Sequence, residues 1–581
     1  MWKYLKKYWF VGLLAPLFML GEVSMDLLQP QMMRTIVDDG VLGLSNGGVG
    51  DLQLVVSTGL KMVGLIFFGC LCGILSGVFA NLCSQNFGND VRKSAFRRIM
   101  SLSFEQTDRF STGSLITRVT NDITQIQNLV SQCIRGFVRT FLLFGGGIVC
   151  MLMLDLHFGI VVACSLPLVL FCVIYFLAKA NPKFSILQAK LDGVNNVMQE
   201  NVSGARVVKA YVREEHEQER FGKANGELVK TQLDVLLLFS YMTPIMNIIL
   251  NISIVAIIKV GAVQVQADAG VTPGDVMAAI TYISQILNAV MRMSMIFQSV
   301  SRGVASGRRV QELLVCDPAL KDGEGNTNTK IRGKVQFEDV SFSYPGMGEE
   351  KILEHINLTV EPGETIGILG ATGCGKSSLV NLIPRFYDVT AGRVLVDDID
   401  VRDYKLAELR DKVAIALQKS EIFSTTIGEN IRWGDPGADD TGLVQAAETA
   451  QAMEFISTRQ DGMNAKVDQG GAGLSGGQKQ RLSISRAVLK QAEILIFDDA
   501  TSALDLKTEA KLYAALKEKY DHQTKIIIAQ RIASVKDADR IVVLDNGKIA
   551  ACGSHSVLME TSEIYQDIYN SQLKNGGELD G

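Results

Sequence analysis

Long runs of apolar residues dominate the first half of the chain. Six of these runs are long enough to cross the hydrocarbon core of a membrane, which takes about 20 helical residues. They occupy residues 11–37, 56–80, 134–154, 158–178, 235–261 and 276–299. Only Asp155, Leu156 and His157 separate the third run from the fourth, and so short a connection predicts a tight hairpin. The pattern therefore predicts an all-α membrane domain of six helices.

Basic residues are distributed unevenly between the connections of these spans. The 2–3 and 4–5 connections are rich in Lys and Arg, whereas the loops on the opposite side hold almost none. The positive-inside rule then places the N-terminus, both long connections and the C-terminal half in the cytosol, with the spans in the cell membrane. Both connections are predicted to be helical and to carry the helices about 35 Å into the cytosol.

Residues 317–333, DPALKDGEGNTNTKIRG, are polar and rich in Gly and Asn, the composition of a domain boundary. Beyond them, short apolar runs typical of buried strands alternate with helical patterns, which indicates a soluble α/β domain. We therefore expect a transmembrane domain at 1–315 with two long intracellular loops, a linker at 316–333 and an α/β domain at 334–581.

The composition agrees with this division and argues against some classes of function. Hydrophobic residues make up 47% of the chain, a high share for a soluble protein, and the excess lies in the first half. The formal net charge of −5 at pH 7 gives no case for nucleic-acid binding. The 10 cysteines show no C-x-x-C spacing and most lie in apolar runs, which favours reduced packing residues over disulfides or metal ligands.

The most specific motif follows a short apolar run at residues 366–369. Residues 370–377 read GATGCGKS, which fits G-x-x-x-x-G-K-S between a strand and a helix. Its glycines expose backbone N–H groups to the α- and β-phosphates of a nucleotide, Lys376 reaches the β- and γ-phosphate oxygens, and the Ser377 hydroxyl helps to ligate Mg²⁺. ATP and Mg²⁺ are therefore the predicted cofactors. The predicted binding residues of this loop are Gly370, Thr372, Gly373, Cys374, Gly375, Lys376, Ser377 and Ser378.

A second constellation spans residues 474–505. Ser475 is a good N-cap, and the glycines behind it let a ligand approach the backbone, so this helix start suits a phosphate. The apolar run at 494–497 predicts a buried strand that ends in Asp498 and Asp499, at the edge where α/β proteins bind ligands. The residues predicted to act on nucleotide at the helix start are Leu474, Ser475, Gly476, Gly477 and Gln478, of which Ser475 and Gly477 are assigned to catalysis.

Together these motifs resemble the P-loop, LSGGQ signature, Walker B strand and D-loop of the ATP-binding-cassette (ABC) ATPases. The resemblance implies that Tyr344 stacks on adenine, that Gln418 is the Q-loop residue and that Asp498 holds Mg²⁺. The implied metal-site residues are Ser377, Gln418 and Asp498. Residues 104–122 and 200–221 resemble the intracellular loops of ABC exporters, whose short coupling helices contact the nucleotide-binding domains; without the family they would equally be solvated hairpins.

Two positions around the γ-phosphate depart from the family pattern. Asp499 stands where hydrolytic ABC sites carry a glutamate that orients the attacking water, and its side chain has about 1.5 Å less reach. Gln530 stands where the switch histidine belongs, and an amide cannot carry a positive charge or shuttle a proton. These two catalytic positions indicate a site that binds ATP and hydrolyses it poorly. A third departure, Gln469 in place of the X-loop glutamate, weakens the case for cross-talk to the intracellular loops through that residue.

In ABC dimers each ATP lies between the P-loop of one subunit and the signature of the other. A weakened Walker B beside an intact LSGGQ is similar to the degenerate-site subunits of bacterial heterodimeric ABC multidrug exporters, a thermophilic example included. The resemblance implies an ATP-hydrolysing translocase that is weak as an isolated chain. Its partners would be a non-identical half-transporter with a Walker B glutamate and a switch histidine, membrane lipids, and a hydrophobic small-molecule substrate. A nucleotide-gated channel or regulatory subunit and a homodimeric lipid flippase stay open as alternatives.

Charged residues inside the predicted spans are a further set of candidates. Glu22 and Asp26 lie four residues apart on one helical face of the first span, and Arg292 lies in the sixth. Intramembrane charges are functional candidates by default. Pairing within the helix bundle and contact with a substrate both remain open for these three residues.

Overall fold

The computed structural model describes residues 1–267, 269–323, 325, 332–344 and 351–576. Residues 324 and 326–331 of the predicted linker, and 577–581 of the predicted α/β domain, lie outside this part of the chain. The chain divides into two compact units. The first is Met1–Met100 with Gly113–Cys316, and the second is Ser101–Thr112 with Asp317–Gly581.

The chain up to Val315 is helical, as its apolar pattern predicts. In chain order the α-helices are α1 Trp2–Lys6, α2 Trp9–Thr35, α3 Leu52–Ser101, α4 Phe104–Phe110, α5 Thr112–Thr117, α6 Ile123–Ser131, α7 Val138–Leu154, α8 Leu156–Ser203, α9 Ala205–Ala210, α10 Glu214–Gln266 and α11 Pro273–Val315. π-helical turns at Ile36–Val41, Arg118–Asp122 and Gln132–Phe137 interrupt or extend them. Within the described residues, six helical stretches are long and apolar enough to cross a membrane, which confirms the six predicted spans.

Three helices continue far beyond the length of a membrane span. The helices α3, α8 and α10 hold 50, 48 and 53 residues. At 1.5 Å per residue each is about 70–80 Å long, roughly two and a half times the thickness of a hydrocarbon core. The predicted helical character of the long connections is therefore confirmed, because these helices run on without a break where the apolar pattern turns polar.

The predicted hairpin between the third and fourth spans is present. Leu154 ends α7, Leu156 begins α8, and Asp155 between them is extended with φ −163° and ψ 143°. The Asp155 carboxylate accepts a hydrogen bond from the backbone N–H of His157 at 2.7 Å, which caps α8. An acidic residue at this single position thus both turns the chain and starts the next helix.

The first unit packs its helices around apolar side chains of α7, α8, α10 and α11. Met151, Phe158, Ile257 and Ile283 are fully buried there. Tyr282 is buried in the same cluster, and its hydroxyl donates to the Leu27 carbonyl at 2.6 Å, which ties α11 to α2. A buried tyrosine of this kind satisfies its polar end while the ring fills the core.

The second unit is an α/β fold, in which the described residues form ten strands. They are β1 Val335–Phe342, β2 Leu353–Val360, β3 Thr365–Leu369, β4 Ala391–Val396, β5 Ile399–Asp400, β6 Val413–Ala416, β7 Ile494–Asp498, β8 Thr524–Ile528, β9 Arg540–Asp545 and β10 Lys548–Gly553. Its helices after α4 are α12 Lys376–Asn381, α13 Leu406–Asp411, α14 Ile427–Arg432, α15 Asp440–Thr449, α16 Met453–Ile456, α17 Gly476–Leu489, α18 Leu506–Lys519, α19 His555–Thr561 and α20 Glu563–Gly576.

The strands form two sheets, and the larger one positions the candidate site. The four-stranded sheet has the order β2-β1-β4-β5, and the six-stranded sheet has the order β10-β9-β3-β8-β7-β6. In the larger sheet β9, β3, β8, β7 and β6 pair in parallel, with Ile368 beside Ile528 and Ile528 beside Asp498. The loops that follow these strands therefore meet at one edge, the ligand-binding edge of α/β sheets.

The first strand of this unit differs in one respect from the sequence pattern. The alternation indicates two short strands, 335–337 and 340–344, whereas the structure has the single strand β1 with a shift in pairing between Phe337 and Val340. Asp339 lies at that shift with φ 49°. An extra residue in one strand locally reverses the alternation of side chains, so one bulged strand resembles two short ones in sequence.

Candidate functional site

The loop between β3 and α12 has the backbone that its glycines predict. Gly370 has φ 154° and Gly375 has φ 99°. A Cβ on Gly370 would meet the Leu544 carbonyl oxygen at 2.2 Å, and one on Gly375 would meet Leu353 Cδ2 at 2.8 Å. Close packing as well as conformation therefore requires glycine at both positions. Thr372 and Gly373, also predicted to bind phosphate, lie exposed at the loop tip, and Cys374 is buried beneath it.

Lys376 is held at the centre of this loop. Its ammonium donates to the carbonyls of Gly370 at 2.7 Å and Ala371 at 2.8 Å, and lies 3.8 Å from Cys374 Sγ. The side chain is buried, so its charge lies inside the loop. Such an arrangement of a lysine and a glycine-rich loop suits the phosphates of a nucleotide.

Ser377 and Asp498 meet where α12 begins and β7 ends. The Ser377 hydroxyl donates to Asp498 Oδ1 at 2.7 Å. Burial raises the pKa of Asp498, with a contribution from the charge of Asp499, while the bond from Ser377 opposes the shift. A hydroxyl beside a carboxylate is a set of hard oxygen ligands that fits Mg²⁺.

The protein oxygens fill only part of a magnesium coordination shell. Among the described residues there is no group of three or more His, Cys, Asp and Glu side chains that could hold a metal by itself. Magnesium sites of nucleotide-binding proteins use few protein ligands and complete the shell with phosphates and water. When bound there, Mg²⁺ neutralises charge on the β- and γ-phosphates.

The two unusual residues of the site contact each other. Gln530 follows β8, and its Nε2 donates to Asp499 Oδ2 at 2.8 Å. Gln418 follows β6, and its Nε2 donates to the same oxygen at 3.4 Å. Burial raises the pKa of Asp499, and the bond from Gln530 opposes the shift. Gln418 bonds Asp499 rather than Ser377 or Asp498 within the described residues, although all four meet at one sheet edge.

Tyr344 lies beside the P-loop helix. Its hydroxyl is 2.9 Å from Ser378 Oγ. The ring meets Phe342 and Tyr387 edge to face, with centroids 4.9 and 5.2 Å away. These contacts fix the orientation of the ring that we expect to stack on adenine.

The signature residues form the start of α17, as predicted. Ser475 is the N-cap, its Oγ accepts from the Gln478 backbone N–H at 3.3 Å, and Gln478 Oε1 accepts from the Ser475 N–H at 3.0 Å. This reciprocal capping box stabilises the first turn and leaves the N–H groups of the two glycines for a ligand. Gly477 also needs its small size, because a Cβ there would lie 2.8 Å from the Ala503 carbonyl oxygen. Leu474 anchors the turn as a buried residue.

Sequence reasoning missed the residues that join the signature helix to Walker B. Gln480 Oε1 accepts from the Ala503 N–H at 2.8 Å, and Gln480 Nε2 donates to Ser502 Oγ at 3.0 Å. The Ser502 hydroxyl in turn donates to the Asp499 carbonyl at 3.0 Å. These hydrogen bonds connect the helix start to the catalytic strand through the D-loop. In the sequence Gln480 is one more polar residue of a polar helix turn, and its burial is visible only in the structure.

A second missed residue is Glu509, buried on α18. It accepts from the hydroxyls of Thr501 and Ser534, each at 2.6 Å. With Asp499 and Gln530 it borders a polar cavity of about 140 Å³. Glu509 thus ties the D-loop to the segment that follows Gln530, because its carboxylate accepts from both.

Comparisons with known proteins identify the family of this chain. The family described as ABC transporter transmembrane region matches residues 13–290, and the family described as ABC transporter matches residues 353–502. An uncharacterized ABC transporter ATP-binding protein of Bacillus subtilis (strain 168), YfiB, is 37% identical over 574 residues, 99% of this chain and 98% of the relative. The chain belongs to the ABC transporters.

Further relatives define the type of transporter. The ATP-dependent lipid A-core flippase of Chromobacterium violaceum is 31% identical over 98% of this chain and 96% of its own length. The structure of a bacterial Atm1-family ABC exporter with ATP bound superposes with a TM-score of 0.78 at 25% identity, covering 98% of both chains. This protein is an ABC exporter half-transporter, with a multi-pass membrane part and a cytosolic ATP-binding domain in one polypeptide. ABC exporters of this kind work as dimers.

In this exporter residues 101–112, the beginning of the first intracellular loop, belong to the ATP-binding unit. Phe104 of α4 packs on Phe386 with ring centroids 4.6 Å apart. The Tyr387 hydroxyl donates to Asp108 Oδ2 at 3.0 Å, and burial together with that carboxylate raises the pKa of Tyr387. Since Tyr387 also contacts Tyr344, the loop reaches the predicted adenine site through one aromatic ring.

Three other positions that the sequence singled out are Gln469, Glu22 and Asp26. Gln469 lies in an exposed 3₁₀ turn, Gln469–Gly471, whose Gly470 carbonyl accepts from Lys479. Glu22 and Asp26 both pair with Arg139 of α7, a residue that the sequence reading overlooked although it is a charge inside the third predicted span. Bundle pairing, one of the two open interpretations, is thus present for the two carboxylates.

Proposed function

We propose that this chain is the degenerate-site half of a heterodimeric, ATP-driven exporter of hydrophobic or amphipathic compounds. Asp499 and Gln530 carry the proposal, because they replace the two groups that assist hydrolysis in the family and bond to each other at 2.8 Å. The Gln530 amide donates to the carboxylate whose place is taken by a water-orienting glutamate in hydrolytic sites. We infer that ATP binds at this P-loop and is hydrolysed slowly.

Geometry and chemistry both support a slow site. The aspartate side chain is about 1.5 Å shorter in reach than glutamate, and catalysis is sensitive to misplacements of about 1 Å. Gln530 cannot take up or carry a proton, so it does not replace a histidine. The bonds from Gln530 and Gln418 to Asp499 Oδ2 hold that carboxylate in place rather than free it for a water molecule.

The LSGGQ signature at the start of α17 supports the proposal that this chain pairs with a different subunit. The capping box of Ser475 and Gln478 and the open glycines of α17 form an intact anion-binding helix start. In an ABC dimer this element completes the site of the other subunit. A chain whose Walker B strand lacks the usual glutamate, but whose signature is intact, is thus suited to a partner that supplies the hydrolytic groups.

Exposed apolar side chains support association with a second subunit. At the tip of the second intracellular loop, Val207, Tyr211 and Val212 are 61%, 75% and 81% exposed. In the ATP-binding unit, Phe423 and Trp433 stack with centroids 4.3 Å apart, yet Trp433 is 60% exposed. Apolar patches on parts of a protein outside the membrane commonly mark protein interfaces.

A homodimeric lipid flippase is the second candidate function. It is favoured by the 31% identity to a lipid A-core flippase over nearly the whole chain. In a homodimer both ATP sites would contain Asp499 and Gln530, so robust hydrolysis by this chain alone is the property that separates the two candidates.

The test compares the tagged chain purified alone with the complex that it forms with its untagged neighbour in the native host. We expect little ATPase from the chain alone, although it binds nucleotide, and full ATPase with uphill export by the complex in vesicles. Lys376→Ala in this chain is the control for nucleotide binding at its own P-loop. Equal turnover by chain and complex would support the homodimer, and downhill flux that only requires ATP binding would indicate a gated channel.

A further inference from the structure

A cluster of charged and polar side chains lies within the predicted membrane spans of the first unit. Glu22 and Asp26 of α2 bind the two ends of one guanidinium, with Arg139 Nη1 at 3.0 Å from Glu22 Oε1 and Nη2 at 3.2 Å from Asp26 Oδ2. Charges inside a hydrocarbon region are costly and usually serve a function. Two carboxylates sharing one arginine leave this group with one net negative charge when all three are ionised.

The sixth span presents a polar stripe to the same region. Gln285, Asn288 and Arg292 lie at positions i, i+3 and i+7 of α11, so they share one helical face. Together with Asp26 and Arg139 they border a cavity of about 180 Å³. The apolar side chains of Leu143 and Ala289 complete part of its wall.

Several polar atoms at this cavity have unused bonding capacity. Gln285 Oε1 and Arg139 Nε are buried and have no hydrogen-bond partner in the described part of the chain. Asp26 uses one carboxylate oxygen for Arg139, and its other oxygen accepts no bond from the described residues. Arg292 is exposed, borders the cavity and forms no ion pair with any described residue.

The charges of the cavity are of both signs, which restricts the ligands it fits. A purely anionic group at Arg292 would also meet Asp26, and a purely cationic group at Asp26 would meet Arg292. A ligand with both charges would pair with both residues, and its N–H groups would reach the unpaired Gln285 oxygen. Burying a charge without a partner is unfavourable, so complementarity of both signs decides the match.

We propose that this cavity binds the zwitterionic head group of an amphipathic compound, with an acidic group against Arg292 and an ammonium against Asp26. The volume holds at least six water-sized groups, at about 30 Å³ each, which suits a compact head group but not a whole lipid. The apolar tail then lies along the spans outside the cavity. The inference rests on the proposed export function and specifies the class of its cargo.

The experiment measures equilibrium binding to the full-length exporter in maltoside micelles without nucleotide. Three radiolabelled probes share one dodecyl chain and differ only in the head group: dodecyl phosphoethanolamine, dodecyl phosphate and dodecylamine. We expect the zwitterion to bind about tenfold more tightly than either singly charged probe, because only the zwitterion pairs both charges.

Two variants test which residue pairs with the acidic group of the ligand and which pairs with its ammonium. Arg292→Gln should weaken binding of the zwitterionic probe by about tenfold, to an affinity near that of dodecylamine. Asp26→Asn should lower the affinity for the zwitterionic probe to near that of dodecyl phosphate. Arg302→Gln is the matched control, an exposed arginine on the same helix that does not border the cavity, and should leave all three affinities unchanged. Arg292 is exposed, so its variant tests the site even if Asp26→Asn disturbs the pairing of Arg139.

The outcomes separate this inference from the proposed function. Equal affinity for the three probes, or equal effects of Arg292→Gln and Arg302→Gln, would overturn the zwitterion site whatever the complex transports. The expected preference together with a complex that cannot move the zwitterion uphill would retain the site and overturn export. Binding needs no hydrolysis, so a weak ATPase does not affect the measurement.

Discussion

At the scale of single residues, the chemistry of this exporter depends on a few side chains around Asp499. A carboxylate there can act on water only if it is correctly placed and free of other donors. Gln530 and Gln418 both donate to one oxygen of Asp499, and burial raises its pKa. Lys376 and Ser377 nearby keep the geometry of a nucleotide site. We therefore expect that nucleotide binding and hydrolysis can be separated at this P-loop.

Restoring the family residues should increase hydrolysis at this P-loop. We expect Asp499→Glu with Gln530→His to raise its turnover, since glutamate regains about 1.5 Å of reach and histidine can carry a proton. The rise should be partial, because the signature of the other subunit completes this site. The measurement is ATPase of a complex whose other site is inactivated. Unchanged turnover would show that other groups limit the reaction.

The buried Asp498 predicts a link between pH, Mg²⁺ and stability. Because the folded pKa of Asp498 is raised, the folded state holds this proton more tightly than the unfolded state, and stability falls as pH rises through that pKa. At pH 7 and without Mg²⁺, Asp498→Asn should therefore stabilise the protein, by about 1 kcal/mol or roughly 2–4 °C in Tm. The same change should abolish the stabilisation by Mg²⁺ with ATP.

Thermal denaturation with EDTA and with Mg²⁺ and ATP checks this pair of effects. Asp461 is exposed, so Asp461→Asn serves as the control and should leave Tm unchanged both in EDTA and with Mg²⁺ and ATP. A variant at position 498 that is less stable in EDTA would mean that the carboxylate is a net stabilising group without its metal.

At the scale of elements, the short helix α4 carries contacts between the first intracellular loop and the rest of the ATP-binding unit. The seven-residue α4 belongs to the ATP-binding unit and packs its Phe104 ring on Phe386 at 4.6 Å. Asp108, one helical turn later, accepts from Tyr387, which touches Tyr344. A change in the nucleotide site at Tyr344 can therefore reach the first intracellular loop through a single side chain.

Phe104→Ala should loosen α4 from the ATP-binding unit. An aromatic pair contributes about 1 kcal/mol beyond its buried area, so hydrogen exchange of residues 101–112 should accelerate roughly fivefold or more. Export should fall more than nucleotide binding, since the nucleotide-site residues are untouched. Phe96→Ala, an exposed phenylalanine on α3, is the matched control. Equal exchange rates in the two variants would exclude a docking role for Phe104.

At the scale of the whole molecule, one chain provides two different parts of an ATPase. Under the proposed function, its P-loop and Walker B strand face one ATP, and its signature helix serves the ATP held by the other subunit of the dimer. Lesions in the two parts should therefore differ in their effect on the assembled exporter.

Two variants of this subunit, compared in the assembled pair, test that division. Lys376→Ala removes a charge from the phosphates at the site that we propose to be weak, so hydrolysis should slow without being lost. Ser475→Arg removes the cap of α17 and blocks the approach to its N–H groups, and losing such phosphate stabilisation costs about 10²–10³ in rate by analogy with an oxyanion donor. ATPase at saturating ATP and transport are the measurements. The reverse order, in correctly assembled variants, would mean that the two sites are assigned backwards.

The amino-acid sequence by itself determined the features that depend on local pattern. Six apolar runs predicted six membrane helices because the hydrocarbon core requires about 20 apolar residues in succession. The glycines around Lys376, the cap at Ser475 and the turn at Asp155 predicted their elements because these depend on neighbouring residues only. Substitutions at Asp499 and Gln530 were visible for the same reason, since each follows a recognisable strand.

Only the tertiary structure decided which distant residues meet. Arg139 lies 113 residues from its partner Asp26, and Phe104 packs on a residue of the other half of the chain. Gln480 and Glu509 join the signature helix, D-loop and Walker B strand through hydrogen bonds that no periodicity encodes. Periodicity specifies which face of an element is buried, but its partner depends on how all the elements pack. That is the physical reason why the nucleotide site was predictable from sequence and the polar cavity between α2, α7 and α11 was not.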